Sequence, residues 1–291
     1  MSTWLILGGN GQLGQSLAQE LDVRGIKYHS KSHAEADISD AAQIDALFDS
    51  TRPSIVINAA AWTAVDLAED NHSNAFSVNC DGARVVAISA RNVGARLIHI
   101  STDYVFSGAL TRPYEVDDET IPQTVYGQSK LCGENAVNSA YGNGSVIVRT
   151  AWLYSQFGNN FVKTIIRKAM KHEAINVVDD QLGQPTSALD LSRFLIELGK
   201  SFPVDGILHG TNSGKCSWFD LAVTIYECVG VDPSLVSAVQ SSRYPTKAPR
   251  PRNSALSHKR TVELGIPLMR EWKQSALEAI PQILSTMKSE F

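Results

Sequence analysis

The stretch "TWLILGGNGQLGQSLAQEL" (3–21) constrains the fold of this chain more than any other. An apolar run too short for a helix is broken by Gly8, Gly11 and Gly14, and an amphipathic helical period follows at once. A strand that turns through glycines straight into a helix opens a parallel sheet. Apolar, β-rich runs recur at 54–60 ("SIVINAA"), 95–101 ("ARLIHIS") and 145–152 ("SVIVRTAW") and read as strands covered on both faces. Helical stretches lie between them, at 41–48 and 74–94.

This alternation predicts an α/β protein with a doubly wound, Rossmann-type parallel sheet. Beyond residue 152 it loosens. Amphipathic helices return at 187–200 and 217–230, "GILHGTN" (206–212) reads as a strand rejoining the sheet, and "SSRYPTKAPRPRNS" (241–254) reads as a loop. The expected organisation is a dinucleotide-binding domain over 1–152, with return segments near 187–212. A smaller, mostly helical substrate-binding domain is expected over 153–186 and 213–291.

Composition narrows the partners. A formal net charge of -4 and the lack of a Lys/Arg-rich block argue against nucleic acid. No apolar stretch approaches the roughly 20 residues of a membrane span, and the N-terminus lacks the basic start of a signal peptide, so a cytoplasmic location is expected. Cys80, Cys132, Cys216 and Cys228 show no C-x-x-C spacing, which predicts neither a disulfide framework nor a zinc site and suits a reducing compartment. The seven histidines contain no H-E-x-x-H, and no metal is expected.

The glycines have a specific use. Gly8 lets the chain leave the strand sharply, Gly11 lets backbone approach a pyrophosphate, and Gly14 lets helix and sheet close together, with N–H groups at the helix start for the anion. Strand two is expected at "IKYH" (26–29), so His29, Ser30 and Lys31 stand where a coenzyme ribose would be held, with no carboxylate among them. A cation and a hydroxyl there predict NADPH, with NADH as an alternative. Asp37 and Ile38 are placed to frame the adenine.

"VYGQSK" (125–130) sets Tyr126 and Lys130 one helical turn apart, with Leu131, Ala136 and Val137 available for a buried face. A phenol titrates near ~10, and lowering it by about three units needs roughly 4 kcal/mol. An ammonium ~4 Å away at an effective dielectric of ~20 supplies about that much, so the lysine is expected to make the tyrosine more acidic. Burial pushes the phenol the other way and leaves any further help to an oxidised nicotinamide. "ISTDYVF" (100–106) ends a strand at the ligand edge of the sheet, placing Thr102 to hydrogen-bond a reacting oxygen and Asp103 beside it, or as a loop cap.

Together "GGNGQLG", "VINAAAWTAVDLAE", "ISTDYVFSG", "YGQSKLCGE", "VRTAWLY", "DDQLGQPTS" and "RPRNSAL" resemble the extended short-chain dehydrogenase/reductases, and within them the dTDP-4-dehydrorhamnose reductases. That resemblance implies reduction of a nucleotide-sugar 4-ketone with NAD(P)H. It implies that Gly11, Gln12 and Leu13 hold the pyrophosphate, Asp37 and Ile38 the adenosine, and that Ala61, Trp62 and Thr63 line the coenzyme. Trp62 stands where a smaller or more polar residue is expected. Tyr126 would donate the proton, Lys130 hold the ribose, and Thr102 polarise the ketone, with Thr102, Asp103 and Trp152 at the sugar. Lys163, Arg250 and Arg252 are candidates for the phosphates of the nucleoside diphosphate, or solvated loop charges. Asn160 and Phe161 are candidates to flank its base, or to cap and pack the helix that starts there. Gln184 is a weaker candidate near the substrate. Some members dimerise through acidic residues around Mg2+, but no such ligands are identifiable here, Gln15 and Ser16 starting what reads as an exposed helix side. A monomer or homodimer is expected. Alternatives left open are a reductase of another nucleotide-4-ketosugar and a non-catalytic NADP-binding regulatory subunit like that of methionine adenosyltransferase.

Overall fold

Every residue of the first, third and fifth strands is buried, as runs covered by helices on both faces must be. The computed structural model describes residues 3–201 and 204–289. The strands are β1 (Trp4–Leu7), β2 (Tyr28–Lys31), β3 (Ile55–Asn58), β4 (Arg96–Thr102), β5 (Ser145–Thr150), β6 (Leu153–Tyr154), β7 (Ile175–Val178), β8 (Leu182–Gly183), β9 (Thr186–Ser187), β10 (Gly206–His209), β11 (Cys216–Ser217) and β12 (Val236–Val239). One parallel sheet has the order β10-β5-β4-β3-β1-β2, and three two-stranded pairs, β6–β9, β7–β12 and β8–β11, lie outside it.

The helices are α1 (Gln12–Val23), α2 (Ala41–Thr51), α3 (Val65–Ala68), α4 (His72–Phe76), α5 (Ala83–Val93), α6 (Val125–Tyr141), α7 (Phe161–Met170), α8 (Ala188–Ser201), α9 (Trp218–Cys228), α10 (Lys259–Glu263) and α11 (Trp272–Ser289). Alternation along β1 builds the two layers. Trp4 and Ile6 pack with Leu17 of α1 and Leu195 of α8, whereas Leu5 and Leu7 pack with Phe48 of α2 and Val86 of α5. A third apolar cluster joins α7, α9 and α11 through Ile166, Ile225 and Ile280. The doubly wound sheet and the helical C-terminal region agree with the sequence, including β10 returning beside β5.

Four local expectations need correction. β2 runs two residues further than "IKYH", so Ser30 and Lys31 are strand residues rather than the turn after it. The stretch 74–94 is not one helix: a π-turn, Ser77–Gly82, separates α4 from α5. Ser16 is buried, with its hydroxyl donating to the Gln12 carbonyl, not exposed. Cys80 of the π-turn and Cys132 of α6 form a disulfide across a sequence separation of 52, leaving Cys216 and Cys228 free. Among the described residues no helix is long and apolar enough to cross a membrane, and no group of three or more His, Cys, Asp or Glu is placed to hold a metal ion.

Candidate active site

The parallel strands end on one edge of the sheet, and the winding reverses between β1 and β3, where open α/β sheets hold their ligands. A cavity of about 990 Å³ opens there. Its walls are the glycine turn after β1, residues 59–63 after β3, the ends of β4 and β5, the start of α6, and the segment 159–162 leading into α7. That volume is at the upper end for a single small-molecule pocket.

The glycine turn is shaped as a cradle. Gly8 has φ +81°, and a Cβ there would come within 2.7 Å of the Ala60 amide. A Cβ on Gly14 would run into the Gly8 carbonyl. α1 then begins at Gln12 with Gly11 as N-cap, without a capping side chain and without an acidic residue in its first turn. Its amides and dipole therefore face the cavity unopposed, and these residues fit a dinucleotide pyrophosphate. Gly8, Gly11, Gln12, Leu13, Gly14, Asp37, Ile38, Ala61, Trp62 and Thr63 all line the cavity. Gln12 also reaches across it, its Oε1 accepting from Asn160 Nδ2 (2.9 Å) and Ser155 Oγ (3.2 Å).

Ser30 and Lys31 do not line it. Lys31 Nζ lies 3.7 Å from Glu35 Oε1, and Glu35 Oε2 accepts from the Ser32 amide and hydroxyl. A carboxylate, Glu35, thus lies just beyond β2, four residues past Lys31, where the sequence-based expectation includes none.

Tyr126 is the second residue of α6, whose N-cap Thr124 accepts from the Gly127 amide at 3.0 Å. Its ring meets Tyr104 edge-on at 5.6 Å between centroids and shares a cluster with Trp62. Asn79, buried in the π-turn, accepts from the Trp62 amide (2.8 Å), donates to its carbonyl (3.0 Å) and to Ser129 Oγ (2.9 Å), pinning the wall to α6. The buried face of α6 is polar: Tyr126, Ser129, Lys130 and Glu134 point inward together with Val137.

The electrostatics differ from expectation. Lys130 Nζ donates to the Ile100 carbonyl at 2.7 Å. Burial lowers Lys130 to about 8, with Glu134 opposing it. The Tyr126 phenol is not made acidic. Burial pushes it up to about 12, the Thr102 hydroxyl pulling it down and Asp103 pushing it further up. Asp103 is itself raised to about 6 by burial, against the neighbouring hydroxyls of Ser254 and Thr102. The Thr102 hydroxyl donates to Asp103 Oδ1 at 3.0 Å, while Asp103 Oδ2 is buried with no hydrogen-bond partner, as is Thr150 Oγ1 on the strand alongside. Buried acceptors and hydroxyls left unpaired at a cavity wall suit a polyhydroxy ligand.

Trp152 follows β5 with φ +45°, a strained conformation for a bulky side chain. Its indole stacks on Trp218, 3.5 Å between centroids at 8°, and Phe161 lies against Trp218 at 4.6 Å. Trp152, Phe161 and Trp218 all line the cavity, and of the three only Trp218 has no part in the sequence-based expectation. The usable signal for Trp218 was "SWFD": Ser217 and Asp220 form a capping box that starts α9 at Trp218.

The other nucleotide candidates are differently placed. Asn160 lines the cavity and caps α7, accepting from the Lys163 amide. Lys163 is buried and donates to the Gln156 carbonyl at 3.1 Å, away from the cavity. Arg250 forks onto Asp66, with Nη2–Oδ2 at 2.5 Å, and Arg252 is exposed; neither lines the cavity. Gln184 is buried between Thr211 and the Leu256 backbone rather than facing substrate.

Comparison with known proteins decides the family: residues 2–285 match the one described as the RmlD substrate binding domain. The chain belongs to the dTDP-4-dehydrorhamnose reductase family. It is 40% identical over 284 residues to the dTDP-4-dehydrorhamnose reductase of Streptomyces griseus, covering 96% of this chain and 93% of that one. It is 38% identical over 283 residues to a probable dTDP-4,6-dihydroxy-2-methyloxan-3-one 4-ketoreductase of Streptomyces antibioticus, covering 97% and 96%. The solved dTDP-4-dehydrorhamnose reductase of Bacillus anthracis, in complex with NADP, superposes with a TM-score of 0.92 at 36% identity, covering 97% of this chain and 100% of that one. This chain is accordingly an NAD(P)H-dependent oxidoreductase.

Proposed function

We propose that this chain reduces the C4 ketone of dTDP-4-dehydro-L-rhamnose to dTDP-L-rhamnose with NADPH, the last step in making that sugar donor. The observation that carries the proposal is Tyr126, Lys130 and Thr102 buried together at the sheet edge where the glycine turn opens. In this assignment the coenzyme is held by residues 1–152 and the segments near 187–212, and the nucleotide sugar by 153–186 and 213–291. The bound nicotinamide supplies the hydride. Gly11, Gln12 and Leu13 hold the pyrophosphate, Asp37 and Ile38 the adenosine, and Lys130 the ribose. Thr102 polarises the ketone, Tyr126 delivers the proton, and Asp103 and Trp152 orient the sugar. Arg250 can reach a diphosphate only by leaving Asp66.

A phenol kept protonated suits this direction of reaction. The sugar alkoxide is a far stronger base than phenolate, so a proton donor near 12 still gives up its proton readily, while the reverse oxidation lacks a ready base. The test is NADPH absorbance with dTDP-4-dehydrorhamnose: no oxidation of NADPH by pure protein would end the proposal.

Two further outcomes follow from the site. Lys130 loses its proton as pH rises through about 8, and Asp103 gains one as pH falls through about 6, so kcat/KM should plateau between these values and decline on both sides. A profile flat from pH 5 to 10 would contradict it. Stability responds to Lys130 with the opposite sign: unfolded lysine keeps its proton to about 10.5, so this contribution rises with pH between about 8 and 10.5. At the coenzyme rim, Glu35→Gln should release Lys31 and lower KM for NADPH roughly two- to fivefold, the scale of one exposed charge, with KM for NADH unchanged. Equal changes for both coenzymes would place the pair away from the 2′-phosphate.

The relative named as a 4-ketoreductase of another dTDP sugar supports a second reading, in which the sugar differs and the chemistry does not. Product NMR separates the two through the configuration at C4.

A further inference from the structure

We propose that Glu134 is a positioning residue for the reaction: a buried carboxylate one helical turn beyond Lys130 that keeps the lysine charged and locks α6 against the end of β4. The inference rests on the reductase reading above, and goes beyond the residues that reading uses.

Glu134 and Arg149 are 3% and 2% exposed. Arg149 grips the carboxylate with two prongs, Nη2 to Oε2 at 2.7 Å and Nε to Oε1 at 2.9 Å. Oε1 also accepts from Ser101 Oγ at 2.5 Å, the residue just before Thr102. Arg149 Nη1 donates to the Val116 carbonyl, and its guanidinium lies 4.9 Å from the Phe106 centroid. Apolar residues often replace such a buried pair with no loss of stability, so its presence calls for another reason. Lys130 supplies one. It is 2% exposed, and the acceptor the structure shows for its ammonium is a neutral carbonyl.

Titratable and charged groups lie on three elements packed around Lys130, and two of them, Glu134 and His99, interact with it. α6 contributes Tyr126 and Glu134, β4 and its end contribute His99 and Asp103, and β5 contributes Arg149. His99 is buried against Asn58 and held neutral by burial and by Lys130 itself. Tyr126 remains protonated, and Asp103 is turned to Thr102. Glu134 is the anion that opposes the cost of burying Lys130. Through Ser101 the same carboxylate ties α6 to the strand end that carries Thr102, fixing the distance between the proton donor and the ketone's polarising hydroxyl.

The test measures kcat/KM and NADPH affinity against pH for wild type, Glu134→Gln, and the double variant Glu134→Leu/Arg149→Met. The double variant removes both buried charges and guards against a lone Arg149 unfolding the protein. A melting transition shows which variants fold, and a single folded variant is sufficient. The expected result is a basic limb moved down by at least about one pH unit, which is a further tenfold loss above the limb on top of any uniform loss from the broken tie to Ser101. A folded variant whose limb stays at about 8 overturns the proposal. Wild type that binds NADPH but never turns over the ketosugar would instead overturn the reductase reading, and the pH dependence of NADPH binding would still decide the role of Glu134.

Discussion

Tyr126→Phe is expected to lower kcat for ketosugar reduction at least ~100-fold, the lower range for loss of a general acid, while NADPH affinity stays within about twofold. The substitution removes one hydroxyl and keeps the ring, so the edge contact with Tyr104 and the packing on Trp62 and Val125 survive. The residues proposed to hold the coenzyme, in the glycine turn and at Lys130, are untouched. What is lost is the proton for the alkoxide at C4. Single-turnover and steady-state rates would be compared for the two proteins; equal values would remove the phenol from the chemistry. An unchanged rate with a raised KM would point instead to Tyr126 as a binding group.

The second large effect is covalent. The Cys80–Cys132 bond closes a loop that contains Thr102, Asp103, Tyr126 and Lys130. With a separation of 52 residues, loop-closure entropy gives about 4 kcal/mol of stabilisation. Reduction, or Cys132→Ser, should therefore lower the melting temperature by roughly 8 °C for a chain of this size. Turnover below the transition should persist, because Asn79 still bonds Ser129 and the Trp62 backbone across the same junction. Identical melting curves with and without reductant would mean that the bond contributes nothing.

The parallel sheet was legible because strands buried on both faces leave unbroken apolar runs, and the glycine turn because its glycines directly follow the first strand and open the first helix. The polar interior of α6 was not. A helix that buries Tyr126, Lys130 and Glu134 reads as a weakly amphipathic surface helix until β4 and β5 are laid beside it. β2 is expected two residues early, at "IKYH", because "SK" carries no apolar side chain to mark a strand; a half-buried edge strand need not be apolar. The Cys80–Cys132 pair follows from the packing of the π-turn on α6, which no local spacing encodes. The effect of Lys130 on Tyr126 was misjudged for a physical reason. A four-residue spacing fixes a helix face but not where an ammonium points, and here it points at the Ile100 carbonyl while burial governs the phenol. Arg250 illustrates the same limit, since a cation in a loop finds the nearest carboxylate, here Asp66.

The most direct test follows the transferred hydrogen. With NADPH deuterated at nicotinamide C4 and dTDP-4-dehydrorhamnose as acceptor, the account predicts one deuterium at sugar C4, in the configuration of dTDP-L-rhamnose, as read by NMR. Deuterium at another carbon, or unchanged ketosugar in the presence of bound coenzyme, would contradict it.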